Sequence, residues 1–204
     1  MTDGRNVLVT GSTGSGKTVW TRQQVRACRR LLVWDSLGEW SRLGLVQPVD
    51  RLAQLQEHVR QALQGRAAPH KLGYTGPGSG KHFEAFCRLA WVWLRIAPGG
   101  LVVEELADVT TPGRAPAAWG EIVRKGRHCQ AQVYAITQRP AESDKTILSN
   151  AAAVHCGMMA YPRDRAYMAE VLDVPQKDVA ALAPLQWIER DMRTRELRRG
   201  KVRP

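Results

Sequence analysis

The sequence predicts an α/β fold with a mostly parallel central sheet, helices on its faces and a β-hairpin near the C-terminus. Short apolar runs of strand length alternate with segments of helical periodicity, and such alternation requires crossover connections between parallel strands. The chain has 204 residues, 44% of them hydrophobic, which is enough for one sizeable core. Since no linker divides the apolar segments, we predict a single domain over 1–204, with a core over about 5–182 and a basic hairpin or tail over about 185–204.

The strand and helix candidates follow one another in a regular order along the chain. The predicted strands are short apolar runs at residues 6–10, 31–35, 71–75, 101–104, 131–136 and 151–159. The predicted helices cover residues 18–30, 51–63, 83–96 and 163–172, with a further short helix at about 121–127. A hairpin is predicted over 185–202. A loop is predicted over 107–120, because this stretch is rich in Pro, Gly, Thr and Ala.

The charge balance is strongly basic. There are 30 Lys and Arg residues against 19 Asp and Glu, for a net charge of +11, and 23 of the 30 are arginine. This balance excludes an acidic solvating chain and favours a polyanionic partner, nucleic acid ahead of a membrane surface. The alternative is an arginine-rich composition whose basic face meets only solvent.

The cysteines and the apolar runs exclude several other classes of protein. The four cysteines are far apart and form no C-x-x-C pair, so they indicate neither a disulfide framework nor a zinc knuckle. The most apolar run, 89–94, is well short of the ~20 residues that span a bilayer, and the first residues do not resemble a signal peptide. We therefore expect a soluble protein of a reducing compartment, without a transmembrane segment.

The stretch 11–18 reads G-S-T-G-S-G-K-T and matches the phosphate-binding pattern G-x-x-x-x-G-K-[ST] between a predicted strand and a predicted helix. Its glycines let backbone amides curl around a phosphate, and the helix directs its positive end at the same anion. Lys17 is expected to reach the β- and γ-phosphates, and the Thr18 hydroxyl to bind Mg²⁺. The predicted ligands of ATP are Gly11, Ser12, Thr13, Gly14, Ser15, Gly16, Lys17 and Thr18.

A second glycine-lysine string, at 76–82, looks similar but lacks the necessary chemistry. Thr75 stands where the first glycine of the pattern would be, and His82 replaces the hydroxyl that binds Mg²⁺. We interpret this string as a loop that caps the next helix, in which Lys81 is a candidate DNA contact.

Two adjacent carboxylates follow the apolar run 101–103. At the C-terminal edge of a parallel sheet, where ligands collect, they would supply a metal clamp and a group that orients water. We assign Glu104 to Mg²⁺ through a water molecule and Glu105 to the attacking water. The first acid of such a pair is usually Asp, so Glu104 departs from the pattern by one methylene; the alternative is a pair of solvated acids.

The strand at 131–136 ends in T-Q-R-P and is preceded by G-R-H at 126–128. Together with the acid pair, these residues resemble the FtsK/HerA superfamily of DNA-pumping ATPases, which have a RecA-like P-loop NTPase fold. The V-V-E-E-L strand and the order G-R-H, T-Q-R-P, D-K-T, S-N-A are most similar to genome-packaging ATPases of membrane-containing bacterial viruses and related prophage proteins. The resemblance runs from residue 6 to about residue 159.

The resemblance implies roles for three further residues. Gln138 would be the polar sensor that reads the γ-phosphate; the alternative is a strand-terminal hydrogen bond to a loop. Members of the superfamily act as rings, in which an arginine of one subunit reaches the γ-phosphate of its neighbour. Arg127 and then Arg124 are the candidates, against the alternative of a solvated basic helix face. The implied state is a homo-oligomer, as a hexameric ring.

The contacts with DNA are the less specific part of the prediction. Translocases hold phosphates without reading bases, so loop-borne Arg and Lys are expected. Arg114 in the predicted loop 107–120 is one candidate besides Lys81, and the segment 189–204, with seven basic and three acidic residues, is either a DNA-facing or docking edge or a solvated tail.

The motifs predict an ATP-hydrolysing P-loop enzyme, and the resemblance implies a translocase that packages double-stranded DNA into a viral capsid. Its further partners would be a capsid vertex or viral membrane proteins, and its location the host cytoplasm or the virion. The alternatives are a small nucleotide or nucleoside kinase, a filamentous-virus assembly ATPase, and a nucleotide-gated scaffold that does not hydrolyse ATP.

Overall fold

The computed structural model describes residues 4–203, and within them nine strands form one sheet. The strands are β1 (Arg5–Thr10), β2 (Leu31–Trp34), β3 (Gln47–Val49), β4 (Lys71–Tyr74), β5 (Gly100–Val103), β6 (Gln132–Thr137), β7 (Ala153–Gly157), β8 (Gln186–Asp191) and β9 (Leu197–Lys201). Their order across the sheet is β3-β4-β2-β5-β6-β1-β7-β8-β9. From β3 to β7 all neighbours are parallel, and β8 and β9 form an antiparallel hairpin at the edge. The predicted α/β fold with its C-terminal hairpin is thus confirmed.

The helices lie on the two faces of this sheet. They are α1 (Lys17–Val25), α2 (Glu39–Arg42), α3 (Leu52–Leu63), α4 (Gly80–Ile96), α5 (Leu106–Val109), α6 (Ala117–Lys125), α7 (Thr146–Ser149), α8 (Pro162–Leu172) and α9 (Gln176–Ala180), with a 3-10 turn at Gly126–Cys129. None of the helices in the described part of the chain is long and apolar enough to cross a membrane.

Successive side chains of the parallel strands point to opposite faces, so the core has two layers. On one face Trp34 of β2 packs against Tyr74, Phe83 and Phe86, at centroid distances of 5.0, 5.2 and 5.1 Å. On the other face Trp20 of α1 packs among the buried residues of β1, β2 and β6. The central strands are therefore buried on both sides, as the continuous apolar runs predicted.

The predicted loop over 107–120 is confirmed only for residues 110–116 and is wrong at both ends. Within it lie most of α5 and the start of α6, and only residues 110–116 are irregular. The carboxylate of Glu84 on α4 accepts a hydrogen bond from the backbone N–H of Ala118 at 3.1 Å, and Trp119 is fully buried. Tertiary contacts therefore stabilise a helix start that the Pro- and Ala-rich composition concealed.

Helix α1 ends at Val25, five residues before the predicted end. The guanidinium of Arg30 lies 4.0 Å from the centroid of the Trp93 ring and donates hydrogen bonds to the backbone oxygens of Ala97 and Trp93. Arg30, which was predicted to be helical, is thus anchored on the end of α4 directly before β2. Elements α2, β3, α7 and α9 were not predicted; each has only three to five residues, and none has an apolar run like those of the equally short β2 and β5.

Candidate functional site

The glycine-rich loop connects β1 to α1 at the C-terminal edge of the sheet. Gly16, immediately before the helix, has a φ of 90°, a left-handed conformation that glycine adopts without strain. At Gly11 a Cβ would lie 2.4 Å from Oγ of Ser15, so the close approach of the chain also requires glycine there. The predicted phosphate-binding stretch therefore has the backbone that its pattern requires.

Hydrogen bonds hold this loop against the chain that follows β7. The backbone N–H of Ser12 donates to the oxygen of Met158 at 2.7 Å, and Ser12 Oγ accepts from the N–H of Ala160 at 2.7 Å. Nζ of Lys17 donates to the oxygen of Ser12 at 3.0 Å. Burial lowers the pKa of Lys17, while Glu105 and Glu104 oppose that shift. The lysine thus lies folded over the loop, in the field of both acids.

Glu104 is a buried acid with one free oxygen. The residue is 4% exposed; Oε1 accepts a hydrogen bond from Nε1 of Trp40 at 2.9 Å, and Oε2 is buried and has no hydrogen-bond partner among residues 4–203. Burial raises the pKa of Glu104 to about 7, against the smaller lowering effect of the Trp40 bond. A buried carboxylate oxygen that none of the described residues satisfies is a suitable ligand for a hard cation.

Trp40 is a functional contact that the sequence interpretation missed. Asp35, at the end of β2, accepts hydrogen bonds from the N–H and Oγ of Ser41, at 2.9 and 2.7 Å, and from the N–H of Trp40. These bonds fix α2, which in turn presents the Trp40 indole to Glu104. The sequence did contain one indication of this contact: Asp35 is a carboxylate directly after β2, the strand that neighbours β5.

Gln138 connects the glycine-rich loop to the second acid. Its Nε2 donates to Oε1 of Glu105 at 2.8 Å, and its Oε1 accepts from Oγ1 of Thr13 at 3.0 Å. Since β6 lies between β1 and β5, the residue after β6 is placed between the loop and the acids. Glu105 has a φ of 45°, a left-handed conformation that is strained for this residue and typical of functional sites.

These side chains border one cavity of about 380 Å³. Its lining residues are Thr13, Gly14, Gly16, Lys17, Thr18, Val19, Leu37, Glu39, Glu104, Glu105, Ile136, Gln138 and Leu185. Thr18 and Glu104, the two residues predicted to bind Mg²⁺, both face this space, and the unpaired oxygen of Glu104 fits a hard divalent cation. The structure thus brings Lys17 and Thr18 of the predicted phosphate loop together with Glu104, Glu105 and Gln138, although their individual roles stay predictions.

The two arginine candidates lie elsewhere. Arg127 is exposed in the turn that leads into the start of β6, whereas Lys17 lies beyond the far end of the neighbouring β1. Because β1 and β6 each have six residues, the end of the strands near Arg127 and the end near Lys17 are roughly 20 Å apart. Arg124 is also exposed, and its guanidinium lies over Gly120 of its own helix, where a Cβ would be 2.8 Å from Nη1. Within residues 4–203, neither arginine lines the cavity that holds Lys17 and the acid pair.

The candidate DNA contacts lie at the same edge of the sheet as the glycine-rich loop. Arg114 is exposed in the segment between α5 and α6, and Lys81 is exposed in the first turn of α4. Arg114 and the neighbour of Lys81, Gly80, line a second cavity of about 330 Å³. Two stretches that are distant in sequence thus border the same cavity.

A parallel sheet whose first strand leads through this loop to a helix, with an acid pair two strands away, defines a P-loop NTPase. No family model matches the chain. It is 35% identical to protein P9 of Pseudoalteromonas phage PM2 over 177 residues, which cover 86% of this chain and 78% of P9. The chain belongs to the family of phage PM2 protein P9.

Solved structures agree on the fold. The genome packaging NTPase B204 of Sulfolobus turreted icosahedral virus 2, solved with AMP, has a TM-score of 0.78 at 13% identity, with 100% of both chains covered. B204 has also been solved with ATPγS and AMPPCP. VirB4 of Thermoanaerobacter pseudethanolicus has a TM-score of 0.65 at 9% identity, with 98% of this chain and 89% of that chain covered.

Proposed function

We propose that this protein is an ATP-hydrolysing translocase that packages double-stranded DNA into a viral capsid. The observation that carries the proposal is the link from Thr13 through Gln138 to Glu105, which couples the phosphate-binding loop to the candidate base. The likeness to phage PM2 P9 and to B204, a viral genome packaging NTPase, supports the biological setting. Its location would be the host cytoplasm or the virion, and its capsid contact a vertex or viral membrane proteins.

Each group at the site has a defined task in hydrolysis. Backbone amides of residues 11–16 hold the phosphates, and Lys17 releases its bond to Ser12 to reach the β- and γ-oxygens. Thr18 and Glu104 would hold Mg²⁺, which when bound neutralises charge on the phosphate oxygens. Glu105 accepts the proton of the attacking water, and Gln138 orients that water and the γ-phosphate through its amide.

The hydrogen bond from Gln138 to Glu105 also suggests how bound ATP would change the site. When a γ-phosphate attracts the Gln138 amide, the hydrogen bond to Glu105 is released, and the carboxylate is free to accept a proton. Helix α5 begins directly after Glu105, and the segment with Arg114 follows α5. The nucleotide state is thereby connected to a candidate DNA contact through one short helix.

Arg127 acts between subunits in this proposal. Since it lies about one strand length from the site of its own chain, only a neighbour in a ring, expected to be hexameric, can use it. The Arg127→Ala protein should hydrolyse ATP about 10³-fold more slowly than the wild type when assembled. Mixing Arg127→Ala with Lys17→Ala subunits should restore part of the rate, because one variant supplies the arginine and the other the intact phosphate site.

If the mixture stays as inactive as either variant alone, the trans role of Arg127 is wrong. Arg124→Ala is the matched control one helical turn away, and we expect it to have the smaller effect.

Duplex DNA should accelerate ATP turnover by the assembled protein without any phosphate acceptor. The stimulation should fall steeply with salt, because basic residues such as Arg114 and Lys81 displace counterions from the DNA backbone. Phosphate release measured with and without a linear duplex, over a salt series and alongside the oligomer mass, tests this expectation. Turnover that requires a nucleoside acceptor and does not respond to DNA would favour a kinase. The absence of any turnover would favour a binding scaffold that does not hydrolyse ATP.

A further inference from the structure

The C-terminal hairpin reaches over the phosphate-binding loop. A Cβ at Gly16 would lie 3.0 Å from Cδ2 of Leu185 and 3.2 Å from Cγ2 of Val202, so both side chains contact the loop where α1 begins. Leu185 is half-buried and lines the 380 Å³ cavity together with Lys17 and Thr18. Val202 is 4% exposed and supports Leu185 from behind. The wall of the cavity beside Gly16 is therefore apolar.

The sheet order puts this apolar wall on the side of the loop away from the acids. Glu104 and Glu105 follow β5, and Gln138 follows β6; both strands lie on one side of β1. Leu185 directly precedes β8, on the other side of β1, and the antiparallel pairing of β7 with β8 brings it to the same edge. Leu185 and the acids therefore lie on opposite sides of the phosphate loop, so that a triphosphate whose γ-phosphate pointed at the acids would have Leu185 at its other end.

The wall is held in place by the backbone. Leu185 has a φ of 68°, a strained conformation for a leucine, and its oxygen accepts a hydrogen bond from the N–H of Val202 at 2.8 Å. Nε2 of Gln23 on α1 donates to the backbone oxygen of Arg203 at 2.8 Å, which ties the end of the hairpin to the helix. Strain that surrounding contacts maintain at a ligand cavity is typical of a functional position.

We propose that the hairpin seats the nucleobase, with the side chain of Leu185 against the face of the purine ring. An aliphatic side chain beside a charged phosphate cradle excludes water from the ring and contributes affinity through buried apolar area. The inference deepens the proposed function: it rests on nucleotide binding at the phosphate loop and is independent of DNA.

The test compares ATP with inorganic tripolyphosphate, which has the phosphates without sugar or base. Leu185→Gly removes the side chain and relieves the strained φ; it should weaken ATP binding about tenfold and leave tripolyphosphate binding unchanged, as measured by titration calorimetry with Mg²⁺. Leu185→Asn, which tolerates the left-handed backbone, should have the same effect. The control is Leu197→Gly at the far end of the same hairpin, which should bind both ligands normally.

Equal weakening of both ligands would overturn the proposal, because the hairpin would then only shape the phosphate loop. Unchanged ATP binding by both Leu185 variants would overturn it as well. A wild-type protein that binds neither ligand would instead contradict the nucleotide site on which the proposed function depends, and the base site with it.

Discussion

Replacement of Glu105 by Gln should lower the turnover number for ATP by about 10²- to 10⁴-fold, the usual contribution of a general base, and leave the Kd for ATP nearly unchanged. Glutamine has the same shape but cannot accept a proton from water. Oε1 of Glu105 accepts a hydrogen bond from Gln138 at 2.8 Å, and the side-chain amide oxygen of the glutamine can accept the same bond. Steady-state turnover and nucleotide affinity, both measured on the assembled protein, separate chemistry from binding.

Glu39→Gln is the matched control for charge. Glu39 lines the same cavity but has no hydrogen bond with Gln138 among the described contacts, so its variant should keep most of the turnover. If Glu105→Gln turns over ATP as fast as the wild type, Glu105 is not the base.

Glu104→Gln should stabilise the protein at neutral pH while abolishing turnover that depends on Mg²⁺. Burial raises the pKa of Glu104 from 4.5 to about 7 in the folded protein. Between these values the folded state binds more protons than the unfolded state, so the stability of the wild type falls as pH rises and is constant above about 7. At pH 8 the ionised Glu104 lowers the free energy of unfolding by at most about 3 kcal/mol. The neutral amide of glutamine avoids this loss.

Denaturant unfolding of both proteins between pH 4.5 and 8 measures this difference, which should vanish at the acidic end. Trp40→Phe keeps a ring in place but removes the indole donor, so the pKa of Glu104 should rise further and the inflection should move to higher pH. A Glu104→Gln protein that is less stable than the wild type at pH 8 would contradict the account of Glu104 as a buried charge awaiting a cation.

The phosphate loop and the acid pair were predictable because each is local. The pattern over 11–18 carries its own turn and helix start, and Glu104 follows an apolar run whose burial is evident from its composition. Gln138 has no such local indication, and its assignment depended on the family resemblance. Its actual partners, Thr13 and Glu105, follow from the position of β6 between β1 and β5, which is a property of the sheet order.

The residues that were missed are brought to the site by tertiary packing. Trp40 lies on a four-residue helix that Asp35 holds beside Glu104. Leu185 directly precedes β8, and the antiparallel pairing of β8 with β7 brings it to Gly16. Neither contact leaves a periodic pattern in the sequence. The same limitation hid the start of α6, which depends on the carboxylate of Glu84 rather than on helix propensity.

The most direct test of the central claim is displacement of a fluorescent third strand from one end of a linear duplex. A protein that moves along double-stranded DNA strips the third strand as it advances, at a rate that depends on ATP hydrolysis. We expect displacement by the assembled wild type with ATP and none by Glu105→Gln, which still binds ATP. If hydrolysis proceeds and is stimulated by DNA but the third strand stays bound, the protein is not a translocase.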